Sequence, residues 1–200
     1  MALFPSLRRV RLILARHTET DDNAQQLYSG QRNVSLNDIG RRQAAELSRS
    51  LASFKIVRVV TSDLMRAEEV GKTVLWNHPT SVQLSRDVRL REVHVGRMAG
   101  MTKEQARLEF PLPHFSTHHP EFDFTSIGGE TRAAVLTRQF DCLNALVAEH
   151  GVSMSPYSTL CVVGHGSALR ILYEAFGLPY PLQQGNFDLV EYEKNRLMPL

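Results

Sequence analysis

Two histidines stand where this chain can most readily do chemistry. His17 follows the apolar run Val10 to Ala15 and the cation Arg16, and His165 follows Leu160 to Val163 between Gly164 and Gly166. Arg66 lies shortly after a third apolar run, Ile56 to Val60, and the pair Thr61-Ser62. Arginine grips planar oxyanions through paired hydrogen bonds. A neutral imidazole is a good nucleophile near neutral pH. A second imidazole, when protonated, can donate to oxygens whose charge shifts in a transition state. This combination suits phosphoryl transfer, which mainly needs positioning and charge stabilisation around the transferred group. The leaving oxygen then needs a proton. Glu92, in a loop ahead of Gly96, is the candidate acid and must carry a proton near neutral pH to act as one.

These groups must be delivered by secondary structure. Val10 to Ala15, Ile56 to Val60 and Leu160 to Val163 read as buried strands, being continuous, mostly apolar and partly β-branched. Val82 to Leu84 is a candidate short strand and Phe187 to Tyr192 a candidate final one. Asp38 is the expected cap of a helix through Leu51, with Ile39, Ala44, Leu47 and Leu51 on its inner stripe. Ser62 or Asp63 starts a helix facing inward through Leu64, Ala67, Gly71 and Val74, stopped at His78-Pro79. Thr102 to Phe110 reads as helical up to Pro111 and Pro113. Thr131 to Glu149 is the clearest helix, with Ala133, Leu136, Phe140, Leu143 and Val147 in a 3-4-3-4 spacing and Gly151 as its stop. Ser167 to Phe176 forms the last helix, closed by Gly177. Pro111 to Gly129 has no clean period and reads as a long surface excursion.

Strands that alternate with helices and carry continuous apolar runs predict an α/β fold. The expected architecture is a single-domain three-layer α/β/α sandwich over residues 1–200, with a mostly parallel central sheet. Ligands bind beyond the carboxyl ends of such strands. Two of the three best strands end at a histidine, and the third leads to the helix that carries Arg66.

Arg16-His17-Thr18-Glu19-Thr20, with Asn23 beyond it, resembles the Arg-His-Gly-Glu-Thr signature of the histidine phosphatase (phosphoglycerate mutase-like) superfamily. Further blocks resemble the family's motifs in the same order. They are Ser29-Gly30, Leu36-Asn37-Asp38-Ile39-Gly40 with Gln43-Ala44, and Ser62-Asp63-Leu64-Met65-Arg66-Ala67. Next come Leu90-Arg91-Glu92 with Gly96, then Gly129-Glu130-Thr131, then Val162-Val163-Gly164-His165-Gly166 with Arg170. The resemblance spans Leu12 to about Asn186. It implies His17 as nucleophile, Arg16, Arg66 and His165 as catalytic phosphate ligands, and Glu92 as proton donor. It also implies phosphate contacts from Asn23, Ser29, Gly30 and Gly166, although Asn23 and Ser29 read equally well as turn residues. Glu19 reads as structural.

Three departures carry expectations of their own. Thr18 replaces the family's usual glycine and is expected to narrow the pocket or alter the turn. Met98-Ala99-Gly100 replaces Trp-Glu-Gly, which puts the substrate-facing wall in question. The chain continues only briefly past the Phe187 strand, so the C-terminal edge of the sheet is expected to be abbreviated.

Other classes are set aside on physical grounds. A net charge of +2 does not argue for nucleic acid, and Arg8, Arg9 and Arg11 read as a solvated edge. No apolar run approaches the ~20 residues of a membrane-spanning helix. Met1 to Arg9 lacks an apolar segment followed by a small-residue cleavage site, so no secretory signal is expected. Cys142 and Cys161 read as two buried thiols in a reducing cytoplasm. His94, His114, His118 and His119 match no metal-binding spacing, so no metal and no other cofactor is expected; a surface or substrate-loop role fits them better. The partner expected is a small phosphorylated substrate, with a homodimer left open. The function expected is hydrolysis of phosphate monoesters of a small metabolite. Phosphoglycerate mutase-type transfer, phosphoprotein or phosphohistidine dephosphorylation, and a catalytically degenerate phosphate-binding module are the alternatives. The modest length between Gly96 and Gly129 favours hydrolysis over mutase chemistry.

Overall fold

The computed structural model describes residues 9–79, 82–111, 113–150, 158–193 and 195–200. Gly151 and Arg8 lie outside them, as does the side chain of His114. The strands are β1 (Val10–Arg16), β2 (Lys55–Thr61), β3 (Gln83–Arg86), β4 (Ser158–Gly164), β5 (Phe187–Glu193) and β6 (Arg196–Pro199). They form one sheet in the order β3-β2-β4-β1-β5-β6. β3, β2, β4 and β1 run parallel, while β5 and β6 are antiparallel to their neighbours. All seven residues of β4 are buried, which is why its apolar run shows no alternation.

The helices are α1 (Asp21–Ala24), α2 (Asp38–Leu51), α3 (Met65–Asn77), α4 (Lys103–Glu109), α5 (Arg132–His150) and α6 (Gly166–Ala175). Side-chain alternation along the strands sorts them into two outer layers. Leu12, Leu14, Leu160 and Val162 pack with Leu143, Leu146 and Val147 of α5 and with Leu169 and Leu172 of α6. Ile13, Ala15, Cys161 and Val163 pack with Ala44, Leu47 and Leu51 of α2 and with Ala67, Val70 and Val74 of α3. The chain is thus a three-layer α/β/α domain around a mixed, mostly parallel sheet. Among the described residues no helix is long and apolar enough to cross a membrane.

Several local expectations are corrected. Asn37, not Asp38, caps α2: its side chain accepts from the Gly40 N–H at 2.8 Å, and Asp38 is the first helical residue. Ile39 is 45% exposed, and Gly40 lies on the inner face in its place. α3 starts at Met65, with Leu64 as its cap. α5 buries Val135, Gln139, Cys142 and Leu146 along with Leu143 and Val147, while Ala133 is exposed. Packing against both the sheet and α6 rotates and widens the stripe that spacing alone suggests. The sheet edge is not abbreviated, because β6 pairs with β5 as a hairpin.

Pro111 to Gly129 is not merely a surface excursion. Phe122, Phe124 and Ile127 enter a third apolar cluster with Val93, Val95, Met98, Ala106, Phe110, Val135, Ala168 and Ile171. The rings of Phe122 and Phe124 stack at 5.0 Å between centroids. Each such burial contributes about 1.5–3 kcal/mol. These side chains reach the cluster from short turns, so they follow neither helical nor strand periodicity. The cluster roofs the carboxyl ends of the strands, where the candidate residues gather.

Candidate active site

Arg16 ends β1 and His17 follows it, tied down by its N–H to the Gly164 carbonyl of the neighbouring β4 (3.0 Å). His165 directly follows β4 and is the N-terminal cap of α6. Arg66 lies in the first turn of α3, just past the end of β2. The parallel order of β2, β4 and β1 therefore brings the three independent segments to one rim. His17 and His165 come within 5.1 Å between ring centroids. A cavity of about 540 Å³ opens there, lined by Arg16, His17, Asn23, Ser29, Gly30, Arg66, Glu92 and Gly166, with Lys103, His118, Arg170, Tyr180 and Gln184 farther round its wall. His165 is fully buried and does not line it.

The two imidazoles are oriented differently. His17 Nδ1 lies 2.7 Å from the Thr18 carbonyl. A carbonyl only accepts, so Nδ1 carries the proton and Nε2 keeps its lone pair. His165 Nε2 lies 2.6 Å from Ser62 Oγ, which also accepts the Leu64 N–H at 3.3 Å. The serine oxygen has a second lone pair as well as its own proton, so this bond is satisfied by either His165 tautomer, while His165 Nδ1 is buried without a partner. Ser62 is a residue that sequence reasoning missed, although it lies in the block quoted for Arg66.

Both histidines are held well below the ordinary value of 6.5. For His17 burial is the main cause, followed by the Arg66 charge; the Thr18 carbonyl opposes these and Arg16 adds to them. For His165 burial comes first, then Arg66, His17, Arg138 and Arg16. The expectation of a protonated second histidine is corrected for the free site: burial and the neighbouring cations favour the neutral imidazole of His165 there.

This sets a pH dependence of stability. As pH falls below about 6.5 the unfolded chain binds protons at both residues before the folded chain does. Their contribution is complete above that value and is lost as pH falls toward the lower folded values. Thermal denaturation between pH 7 and pH 5 should show a falling midpoint. Saturating inorganic phosphate should reduce the fall, because a dianion offsets the cations and favours protonated imidazole. Identical slopes with and without phosphate would contradict this account.

The arginines are placed by backbone carbonyls. Arg66 is 1% exposed and donates to the carbonyls of Gly30 and Arg32, each at 2.8 Å, while its Nε is buried without a partner. Burial lowers its pKa to about 10, against the charges of Glu92 and Asp22, so it remains a cation at neutral pH. Arg16 has a buried Nε without a partner and lies under the start of α6. A Cβ on Gly166 would stand 2.9 Å from the Arg16 guanidinium carbon, so a side chain at that position would push the guanidinium out of its place. Gly30 adopts φ +51°, and a Cβ there would stand 2.8 Å from the Val95 side chain.

Glu92 spans the cavity rim to α6. Its Oε1 accepts from the Val93 and Ala168 N–H groups, both at 2.9 Å, and its Oε2 from Ser167 N–H at 3.1 Å. Oε2 has the single contact and so has the valence left for a proton. Ser29 Oγ is buried without a partner and lines the cavity. Asn23 also lines it, but its carboxamide oxygen accepts from Thr20 N–H and Thr20 Oγ1 in the capping box of α1. Glu19 accepts from Asn37 Nδ2 at 2.9 Å, a structural pairing.

The departures from the family pattern turn out mild. Thr18 is not in the left-handed backbone region, is fully buried, and does not line the cavity. Met98 is buried in the third cluster, and it is Val93 and Val95 that face the cavity from that loop. His118 lines the cavity, and burial followed by the Arg170 charge lowers its pKa. His94 and His119 accept from Gly96 N–H and Glu121 N–H, and no cluster that could hold a metal occurs among the described residues. Tyr180 and Gln184, from the segment after α6, bring further polar side chains to the wall, the buried Gln184 Nε2 without a partner. No periodicity or spacing signalled them.

The family model of the histidine phosphatase superfamily (branch 1) matches residues 12–192. The chain belongs to that superfamily. A glucosyl-3-phosphoglycerate phosphatase of Mycobacterium tuberculosis is 30% identical over 172 residues, covering 84% of this chain and 76% of the relative. A broad-specificity phosphatase of Saccharomyces cerevisiae is 30% identical over 168 residues, covering 82% and 69%. The solved structure of the mycobacterial glucosyl-3-phosphoglycerate phosphatase with VO3 superposes with a TM-score of 0.79 at 26% identity, covering 90% of this chain and 92% of that one. This histidine phosphatase is a phosphohydrolase.

Proposed function

We propose that this histidine phosphatase, a single domain over residues 1–200, hydrolyses phosphate monoesters of a small metabolite through a phosphohistidine on His17. The observation that carries this reading is the His17 tautomer: Nδ1–H is spent on Thr18, leaving a lone pair on Nε2 in a side chain that lines a cavity with two arginines. Nε2 attacks phosphorus as the P–O bond to the leaving alcohol breaks, and Glu92 Oε2 supplies the proton that the departing oxygen takes. Water then attacks phosphorus, forming a P–O bond as the P–N bond breaks, and gives a proton to Glu92. His17 is released with its lone pair, and inorganic phosphate leaves. Arg16 and Arg66 bind the non-reacting oxygens together with His165, whose imidazole the substrate's negative charge protonates so that Nδ1 donates, with Ser29, Gly30, Gly166 and Asn23 completing the pocket wall.

Beyond the phosphate pocket the cavity wall carries Lys103, Arg170 and His118. That charge favours leaving groups that are themselves anionic. The two free, buried cysteines support a cytoplasmic location. The arginines and the imidazole donor supply the charge stabilisation a metal would otherwise bring, so turnover should persist in EDTA. A screen of phosphorylated metabolites with chelator present tests both points. Release of phosphate, fastest from substrates bearing a second anionic group, supports the reading. Activity lost on chelation and restored by a divalent ion would overturn the metal-free mechanism. Phosphoryl transfer to a second acceptor in preference to water would assign mutase chemistry, and phosphate binding without turnover a degenerate module.

A further inference from the structure

We propose that Arg138 and Glu130 act as positioning residues that set where the Glu92 carboxyl stands; the proposal rests on the reading of Glu92 as the acid. Arg138 belongs to α5, and Glu130 lies just before that helix. The five N–H bonds of the Arg138 guanidinium meet five acceptors. Nε donates to Glu130 Oε1 at 2.9 Å, and one terminal nitrogen donates to the carbonyls of Arg89 (2.7 Å) and Arg91 (2.6 Å). The other donates to the Glu92 carbonyl and to Glu130 Oε2, both at 3.0 Å. No donor remains for a substrate, and neither residue lines the cavity. Their work is therefore on the chain that turns around them.

That chain is the segment bearing Glu92. Glu130 holds its far side by two further bonds: its N–H donates to the His94 carbonyl and its Oε2 accepts the His94 N–H, each at 2.9 Å. Residues on both sides of Glu92 are thus pinned to one ion pair. The carboxylate itself is received by the Ser167 and Ala168 N–H groups of α6. Gln139, the residue after Arg138, donates to the Ala168 carbonyl at 3.0 Å. One turn of α5 therefore holds both the loop that carries Glu92 and the helix turn that orients its carboxylate. Lysine cannot reproduce this, since an ammonium offers three donors from one point where the guanidinium offers five in a planar fork.

A small displacement of Glu92 should matter most when the leaving group needs its proton. Arg138→Lys should lower kcat for alkyl phosphates by roughly 10- to 100-fold, as misplacement of a catalytic group does, and leave kcat for p-nitrophenyl phosphate and the inhibition constant of inorganic phosphate nearly unchanged. Because Arg138 also satisfies three backbone carbonyls, the milder second variant is Glu130→Gln, whose oxygen can keep the His94 N–H while a bond from Arg138 is lost. It should show the same selective loss. Glu92→Gln is measured alongside, and adding Arg138→Lys to it should cause no further loss on alkyl esters. Equal losses on both ester classes, or a full extra loss in the Glu92→Gln background, would overturn the clamp while leaving Glu92 as the acid. A Glu92→Gln variant with no leaving-group preference would overturn the reading of Glu92 itself, and the clamp with it.

Discussion

His17→Ala should lower turnover of every phosphate monoester by on the order of 10⁵–10⁶-fold, the scale at which loss of a catalytic nucleophile is felt. Neither the adjacent imidazole nor a thiol can take over. His165 has its Nε2 engaged by Ser62, is fully buried and does not line the cavity. The two thiols are deep in the core, each pushed by burial to a pKa of about 12. The fold should survive, because the His17 ring makes one hydrogen bond, to the adjacent Thr18 carbonyl, and lies beside an existing cavity. Loss of a buried imidazole with a lowered pKa should also flatten the acid side of the stability profile. Brief reaction of the unmodified enzyme with a labelled substrate, quenched in base, should leave phosphate on His17. That label should survive base and be lost in acid, as a phosphoramidate is. Label on a serine or cysteine would sink the mechanism, as would full turnover by the alanine variant.

Glu92→Gln should slow alkyl phosphates by roughly 10²–10⁴-fold, the contribution of general acid catalysis, and p-nitrophenyl phosphate much less, since p-nitrophenolate departs with little help. The substitution has a structural side. Oε1 holds the Val93 and Ala168 N–H groups and can remain an oxygen, but an amide nitrogen at Oε2 would face the Ser167 N–H. One of the bonds that cap α6 is lost, at a cost of about 1 kcal/mol. That cost appears in the melting temperature and affects both substrates alike, so the ratio of the two rates isolates the chemistry. A ratio unchanged from the unmodified enzyme would show that Glu92 only shapes the cavity and caps the helix. Glu121 and Asp123 would then be the next carboxylates to replace.

How far the sequence carries this argument varies by element. β1, β2 and β4 were legible because strands buried on both faces leave mostly apolar runs, interrupted here by Arg11 in β1 and Arg58 in β2. The residues at their carboxyl ends were legible because a strand can end in only a few ways, and Arg16-His17 and Gly164-His165-Gly166 put charged or permissive groups there. Helix α2 was placed well, but its cap was shifted by one residue. Asn37 and Asp38 can both cap a helix, and only the observed Asn37 to Gly40 hydrogen bond decides between them. The inner stripe of α5 was misjudged because periodicity reports that a helix has an apolar face but not how many neighbours it meets. The 111–129 segment was misread because Phe122 and Phe124 are buried from turns, where no period exists.

The sequence by itself determined the chemistry available to this protein: two histidines, two arginines and a carboxylate, attached to recognisable strand ends and turns. Those are local facts, set by residue type and by the period of each element. Only the tertiary structure decided what each group does with its atoms. It set the Ser62 hydroxyl 2.6 Å from the Nε2 of His165. It spent the whole Arg138 guanidinium on Glu130 and the chain around Glu92, and brought Tyr180 and Gln184 to the cavity wall. The physical reason is that hydrogen-bond partners, tautomers and the pKa shifts of buried groups depend on distances of a few ångströms between residues tens to more than a hundred positions apart. Those distances follow from the order of strands in the sheet and the packing of helices on it, which no local pattern encodes.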